Sequence, residues 1–171
     1  MPKIIPNLSE NILKESRSIL LDPGRQELAI RDVAKACGVA VGTVYNYFPS
    51  KEYLVAAVLL EDWNNSLEKA KALCAETGDV MSCLEGIYGV LCDYVRLYDP
   101  VWQKNVVPPA AGGFYSEKHR TLVDAVTELI RGLRGAPEEA IAEMIAVLLT
   151  ERCQFLTDFT ALKPGLEKLL A

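Results

Sequence analysis

The sequence predicts an all-α protein, a three-helix N-terminal head followed by a helical body. Three observations predict it. Apolar residues recur at three- and four-residue spacing through most of the 171 residues. Between these stretches lie helix-stopping clusters, Asp22-Pro23-Gly24, Thr77-Gly78-Asp79, Asp99-Pro100, Gly135 and Pro164-Gly165. The segment from Ile30 to Lys51, IRDVAKACGVAVGTVYNYFPSK, reads as two short helices joined by a tight turn.

Taken in order, residues 8–21 form an amphipathic helix with Leu8, Ile12, Ser16, Ile19 and Leu20 on one stripe and Ser9 as candidate N-cap. Lys14 and Arg17 lie off that stripe, within reach of phosphates or of solvent. A second helix is expected from Ile30 to about Cys37, with Ile30, Val33, Ala34 and Cys37 inward; Ala34 is small where two helices cross. Gly38 follows where a helix end favours positive φ. A third helix is expected over about 41–47, with Val44 and Phe48 inward. Gly42, Thr43, Tyr45, Asn46 and Tyr47 then stay off the buried face, free to enter a major groove.

Ser50 is a good N-cap for a long helix from Lys51 to about Cys74, roughly 36 Å at ~1.5 Å per residue. Asp79 caps the next, about 80–98, with Met81, Leu84, Tyr88, Leu91, Val95 and Tyr98 in one stripe. VWQKN makes at most a further turn, and VVPPAAGG (106–113) reads as a loop beside a cavity entrance. Ser116 opens a helix to about Arg134. Pro137 starts another that runs to about Leu162, apolar on two faces and so in need of two neighbours. One of its faces carries Ile141, Ile145, Leu148, Arg152 and Phe155. LEKLLA adds a last turn.

Composition narrows the function. Net charge is −5, yet residues 1–51 carry seven Lys/Arg against five acids, and the remainder eleven against eighteen. A basic head on an acidic body suits a protein that offers one end to a polyanion. Five cysteines form no C-x-x-C pair and no metal spacing, which reads as reduced thiols in a cytoplasmic protein. The N-terminus has no apolar core of a signal peptide, and no run approaches the ~20 apolar residues that span a bilayer, so no membrane partner is expected. His119 is the sole histidine and lacks partners for a metal site or a catalytic pair. Without a phosphate loop, nucleophile elbow or paired carboxylates, no catalytic residue, cofactor or metal is expected, and the chain is not read as an enzyme.

GVAVGTVYNYFPSKEYLV also resembles the signature of the TetR-type (tetracycline-repressor-like) transcriptional regulators, in Gly38, Gly42, Thr43, Val44, Tyr45, Tyr47, Phe48, Ser50, Lys51 and Glu52. The resemblance covers roughly residues 8 to 60. It implies a DNA-binding domain over 1–51 and a helical effector-binding and dimerisation domain over 52–171. It implies contacts to double-stranded DNA by Arg31, Gly42, Thr43, Tyr45, Asn46, Tyr47 and Lys51, with Asn46 suited to adenine. It further implies a homodimer through helices about 116–134 and 137–162, a pseudo-palindromic operator, and repression released by a small effector.

The sequence departs from the family at Ala29 and Ala40, where Thr or Ser commonly caps a helix and touches phosphate. A largely apolar effector would be lined by Trp63, Tyr88, Cys92, Trp102, Phe114 and Phe155. Two other readings remain open: a DNA- or partner-binding protein of this fold without effector, and a ligand carrier that has lost DNA binding.

Overall fold

The computed structural model describes the backbone of residues 7–25, 27–104 and 112–171, and their side chains except at 102–104 and 112–119. The described residues form eight α-helices and no strand: α1 (Leu8–Leu20), α2 (Ile30–Ala36), α3 (Val41–Tyr47), α4 (Lys51–Glu76), α5 (Val80–Lys104), α6 (Gly112–Arg131), α7 (Glu139–Cys153) and α8 (Phe159–Leu170). Contacts group the chain into two compact units. One holds the chain as far as Trp63 together with the end of α5 from Tyr98; the other holds Asn64–Leu97 and the three helices that follow.

The first unit is built on a core that the expected stripes supply. Ile12 from α1, Val33 from α2, Val44 from α3 and Leu54 from α4 are fully enclosed, with Leu28, Ala34 and Phe48 closing the gaps. Each large side chain so buried contributes about 1.5–3 kcal/mol. Ser50 caps α4, its hydroxyl accepting from Tyr53 N at 3.1 Å. Ser9 is not the cap of α1, as expected from its type; Asn7 stands at the N-cap in a left-handed conformation (φ 56°), which asparagine tolerates better than most residues. Arg17 does not face outward. It pairs with Glu61 at 2.6 Å and Asp62 at 2.5 Å on α4.

In the second unit, α5 buries Leu84, Tyr88, Leu91 and Val95 of the expected stripe, and Ile87 beside them. Its N-terminus is capped as foreseen, Asp79 Oδ1 accepting from Ser82 N at 2.9 Å. Helices α6 and α7 pack along each other; α6 buries Val126 and Ile130, and α7 buries Ala142, Ile145, Ala146 and Leu149. Alanines therefore make much of the buried face of α7, while Met144 and Val147 are exposed.

Several expected helix limits are corrected. Pro100 does not stop α5, and Pro164 does not stop α8; each sits inside its helix. An interior proline removes one hydrogen bond and costs ~3 kcal/mol. Here Tyr98 and Val101 are buried around the first proline, and Leu162 and Leu166 around the second, so packing carries both helices through. Both prolines are exposed, which leaves the freed carbonyls to water.

Helix α6 begins at Gly112, ahead of Ser116, and ends at Arg131. The expected helix 137–162 is two helices. It begins at Glu139 rather than Pro137, and α7 stops at Cys153. The chain then turns, Thr157 N donating back to Arg152 O, with Leu156 at φ 48°, and Asp158 caps α8 by accepting from Thr160 N at 2.9 Å. Residues 105–111 of the expected loop lie outside the described residues.

Candidate nucleic-acid interface and candidate effector cleft

The turn between α2 and α3 is fixed by its backbone. Gly38 takes φ 66°, a left-handed value that a side chain would strain. Gly38 N donates to Lys35 O at 3.2 Å and Val39 N to Ala34 O at 2.9 Å, closing the end of α2. Ala40 then enters α3 from an extended conformation, and Thr43 N donates to Ala40 O at 2.9 Å.

Helix α3 is seven residues long and anchored by one face. Val44 is fully buried and Phe48, just after the helix, is 6% exposed. Every other position has a different environment. Gly42, Tyr45, Asn46 and Tyr47 are exposed and Thr43 half-buried. A Cβ added to Gly42 would meet nothing within 4 Å, so no contact inside this chain requires glycine there. The two tyrosines expose 45% and 46% of their surface, large for aromatic side chains on so short a helix. Arg31 is exposed on α2. Lys51, at the start of α4, pairs with Glu27 at 2.7 Å, a surface contact that an incoming phosphate can exchange. Of the positions expected to meet DNA, all are accessible to some degree and none is spent in the core.

The alanines at the helix starts behave as their chemistry dictates. Neither Ala29 nor Ala40 offers a side-chain cap to α2 or α3. A polar cap there would add about 0.5–2 kcal/mol to either helix.

The positions expected to line an effector site separate. Tyr88 and Cys92 come together at a cleft of about 320 Å³, closed on its other side by Leu156, Thr157, Asp158 and Phe159. Tyr88 donates its hydroxyl to Thr157 O at 2.7 Å, and its ring lies 5.7 Å from that of Phe159. Burial raises the Tyr88 hydroxyl and the Cys92 thiol above their ordinary values, so both stay protonated at neutral pH. Asp93 and Arg96, paired at 3.1 Å, form the rim.

Trp63 is buried in the other unit. Phe155 is 75% exposed rather than inward, because α7 ends two residues before it and the turn takes it out of helical register. The side chains of Trp102 and Phe114 lie outside the described residues. Phe159, an aromatic of the body that the sequence also offers as a pocket residue, does meet Tyr88, whereas sequence reading missed Thr157 and Asp158, since nothing periodic marks a turn that folds back onto a distant helix. Among the described residues no group of three His, Cys, Asp or Glu side chains is placed to hold a metal. No described helix is long and apolar enough to cross a membrane.

The first of these surfaces lies within a match to a known family. Residues 12–58 match the family model of the bacterial regulatory proteins, tetR family. The chain is 24% identical to the HTH-type transcriptional regulator UidR of Escherichia coli K12 over 144 residues, covering 82% of this chain and 72% of that protein. It is 36% identical over 73 residues to the HTH-type transcriptional repressor KstR of Rhodococcus jostii, 38% of this chain and 34% of that one. Its fold is similar to that of the fatty acid degradation regulator FadR from Bacillus halodurans (TM-score 0.61, 21% identity, 99% and 97% of the two chains). It is likewise similar to the TetR family repressor AlkX from a Dietzia strain (TM-score 0.60, 18% identity, all of both chains). These fold neighbours and relatives are transcriptional regulators, not enzymes.

Proposed function

We propose that this chain, a TetR-type DNA-binding transcriptional regulator, acts as a cytoplasmic homodimeric repressor that leaves its operator when a small, largely apolar effector binds the helical body. The observation that carries the reading is α3 itself: one side chain, Val44, is fully buried, Thr43 is half-buried, and Tyr45, Asn46 and Tyr47 are exposed beside a glycine that no contact within the chain requires. In this reading Tyr45 and Tyr47 contact backbone and bases, Thr43 and Gly42 allow close approach, and Arg31 and Lys51 meet phosphates. Asn46 reads a base edge, with adenine N6 and N7 its best match.

Dimerisation rests on the apolar side of α7 that the chain leaves uncovered, Met144 and Val147, which suits an isologous contact between copies. Two heads related by a two-fold axis then call for a pseudo-palindromic site with half-sites about one DNA turn or a little more apart. The effector is assigned to the Tyr88–Cys92 cleft, with Leu156 and Phe159 supplying apolar surface and Asp93, Arg96 and Asp158 a charged rim. Release follows if effector favours a conformation in which the head spacing no longer fits DNA; by linkage, DNA then weakens effector binding equally.

A second reading, a ligand carrier of this fold without DNA binding, draws on the absent caps at Ala29 and Ala40. Selection of DNA from a random or genomic pool by the purified protein, at moderate salt, separates the two. A recovered pseudo-palindrome supports the regulator, and a folded dimer that recovers nothing supports the carrier.

A further inference from the structure

The geometry points to a two-coordinate site for a soft monovalent d10 cation, Cu(I) or its surrogate Ag(I), between Cys74 near the end of α4 and Cys83 near the start of α5. The two thiols are reciprocal neighbours. Cys74 Sγ donates to Cys83 O at 3.9 Å, and Cys83 Sγ donates to Cys74 O at 3.8 Å. Nine residues separate them in sequence, and only the hairpin between two helices sets them face to face. No C-x-x-C spacing announces the pair.

Access comes from an open cavity of about 860 Å³ in the second unit, with Cys74 and Cys83 among its lining residues. Leu67 and Leu129 give it apolar wall, and Lys71 and Arg134 also line it. Cys74 is partly exposed towards that space while Cys83 is buried, so an ion can enter from one side and be held on the other.

The donor set selects the ion. Thiolates favour soft cations, and Zn²⁺ in structural sites takes four ligands. Among the described residues no third metal-binding side chain joins the two sulfurs, which leaves linear, two-coordinate ions. The exchange balances as two S–H bonds broken and two S–metal bonds formed. Two protons go to solvent, nothing is oxidised or reduced, and the bis-thiolate carries one net negative charge. The cavity sets Lys71 and Arg134 beside Glu76, Asp79 and Glu128, and Lys71 is already paired with Glu68 at 2.6 Å, so the thiolates and not the surrounding charge hold the ion. Burial and the neighbouring thiol push Cys74 up to about 12, so that thiol is protonated and a slow nucleophile towards peroxides. Displacement of protons by a thiophilic ion does not need a pre-formed thiolate.

The test is an anaerobic titration of the reduced full-length chain with Cu(I) in competition with bicinchoninate, followed by alkylation with iodoacetamide and peptide mass analysis. One Cu(I) per chain is expected, with Cys74 and Cys83 protected together and Cys37, the other partly exposed thiol, still alkylated. Cys74→Ser is expected to lose the site and Cys37→Ser to keep it. Should Cys83→Ser fail to fold, the protection pattern of the wild type and the Cys74→Ser titration decide alone. Protection of Cys37 alone, or unchanged binding by Cys74→Ser, would overturn the assignment. So would loss of both thiols without bound metal and their return on reduction, which would mean a disulfide instead.

Discussion

Arg17 of α1 and Asp62 of α4 form a 2.5 Å ion pair in the first unit, and Tyr98 of α5 donates its hydroxyl to the other oxygen of the same carboxylate. Glu61 takes a further bond from Arg17 at 2.6 Å. The Asp62 side chain is only 14% exposed, so its oxygens are bonded by these partners more than by water. Three helices that are distant in sequence are thereby tied at one carboxylate. The guanidinium of Arg17, although partly desolvated, is held even more firmly in its charged form by the two acids.

Removing one partner leaves the other charge short of solvation. Asp62→Ala is therefore expected to cost about 2–3 kcal/mol of stability, measured by urea unfolding. The pair Arg17→Met with Asp62→Leu should recover part of that loss, because the guanidinium is not left beside an emptied site and Glu61, 41% exposed, keeps its water.

Arg17 also distinguishes structure from DNA contact. Arg17→Gln is expected to lower stability while leaving the slope of log affinity against log salt unchanged. A phosphate contact would instead flatten that slope by roughly one unit. Fluorescence anisotropy at several salt concentrations reads the difference.

Two glycines of the head are expected to answer alanine in opposite ways. Gly38→Ala places a side chain at φ 66° and should cost about 1–2 kcal/mol in chemical denaturation. Gly42→Ala enters open space inside a helix and should be neutral or stabilising by up to about 1 kcal/mol. The same Gly42→Ala should weaken DNA binding if α3 enters the groove as proposed, which an anisotropy titration with operator DNA measures.

The acidic helix caps give a pH signature. Asp79 and Asp158 are held below the ordinary aspartate value, about 3.9, by the hydrogen bonds they accept from Ser82 and Thr160. A depressed folded value stabilises above the unfolded one and is lost as pH falls through the folded one. Asp79→Asn and Asp158→Asn should therefore differ from wild type at neutral pH, and the gap should narrow below about pH 4, in thermal melts taken across that range.

Much of the head was legible because its signals are local. Gly38 lies where positive φ is needed, Ser50 where α4 needs a cap, and Val44 where a seven-residue helix has one inward position. The body was less so, since packing overrode local rules. Pro100 and Pro164 carry strong stop signals, yet buried neighbours on both sides keep their helices whole. Alanine 142 and 146 carry little hydrophobic weight in a periodicity count but form the tight face of α7. Phe155 was placed inward by a helix assumed to continue past Cys153. Arg17 was offered to phosphate because an ion pair 45 residues away leaves no trace in spacing.

Met144 and Val147 test the assembly. Met144→Glu on the exposed side of α7 is expected to leave the monomer folded, because the position is already 54% exposed, and to shift the mass in sedimentation from dimer to monomer. An unchanged dimer would place the interface elsewhere.

The most direct measurement is a comparison of wild type, Tyr45→Ala and Asn46→Ala in DNA selected from a random pool. A pseudo-palindrome recovered by wild type is expected, with uniformly weaker recovery for Tyr45→Ala and an altered base preference for Asn46→Ala. Wild-type recovery of no sequence by a folded dimer, or a palindrome bound equally well by both variants, would contradict α3 as the surface that reads DNA.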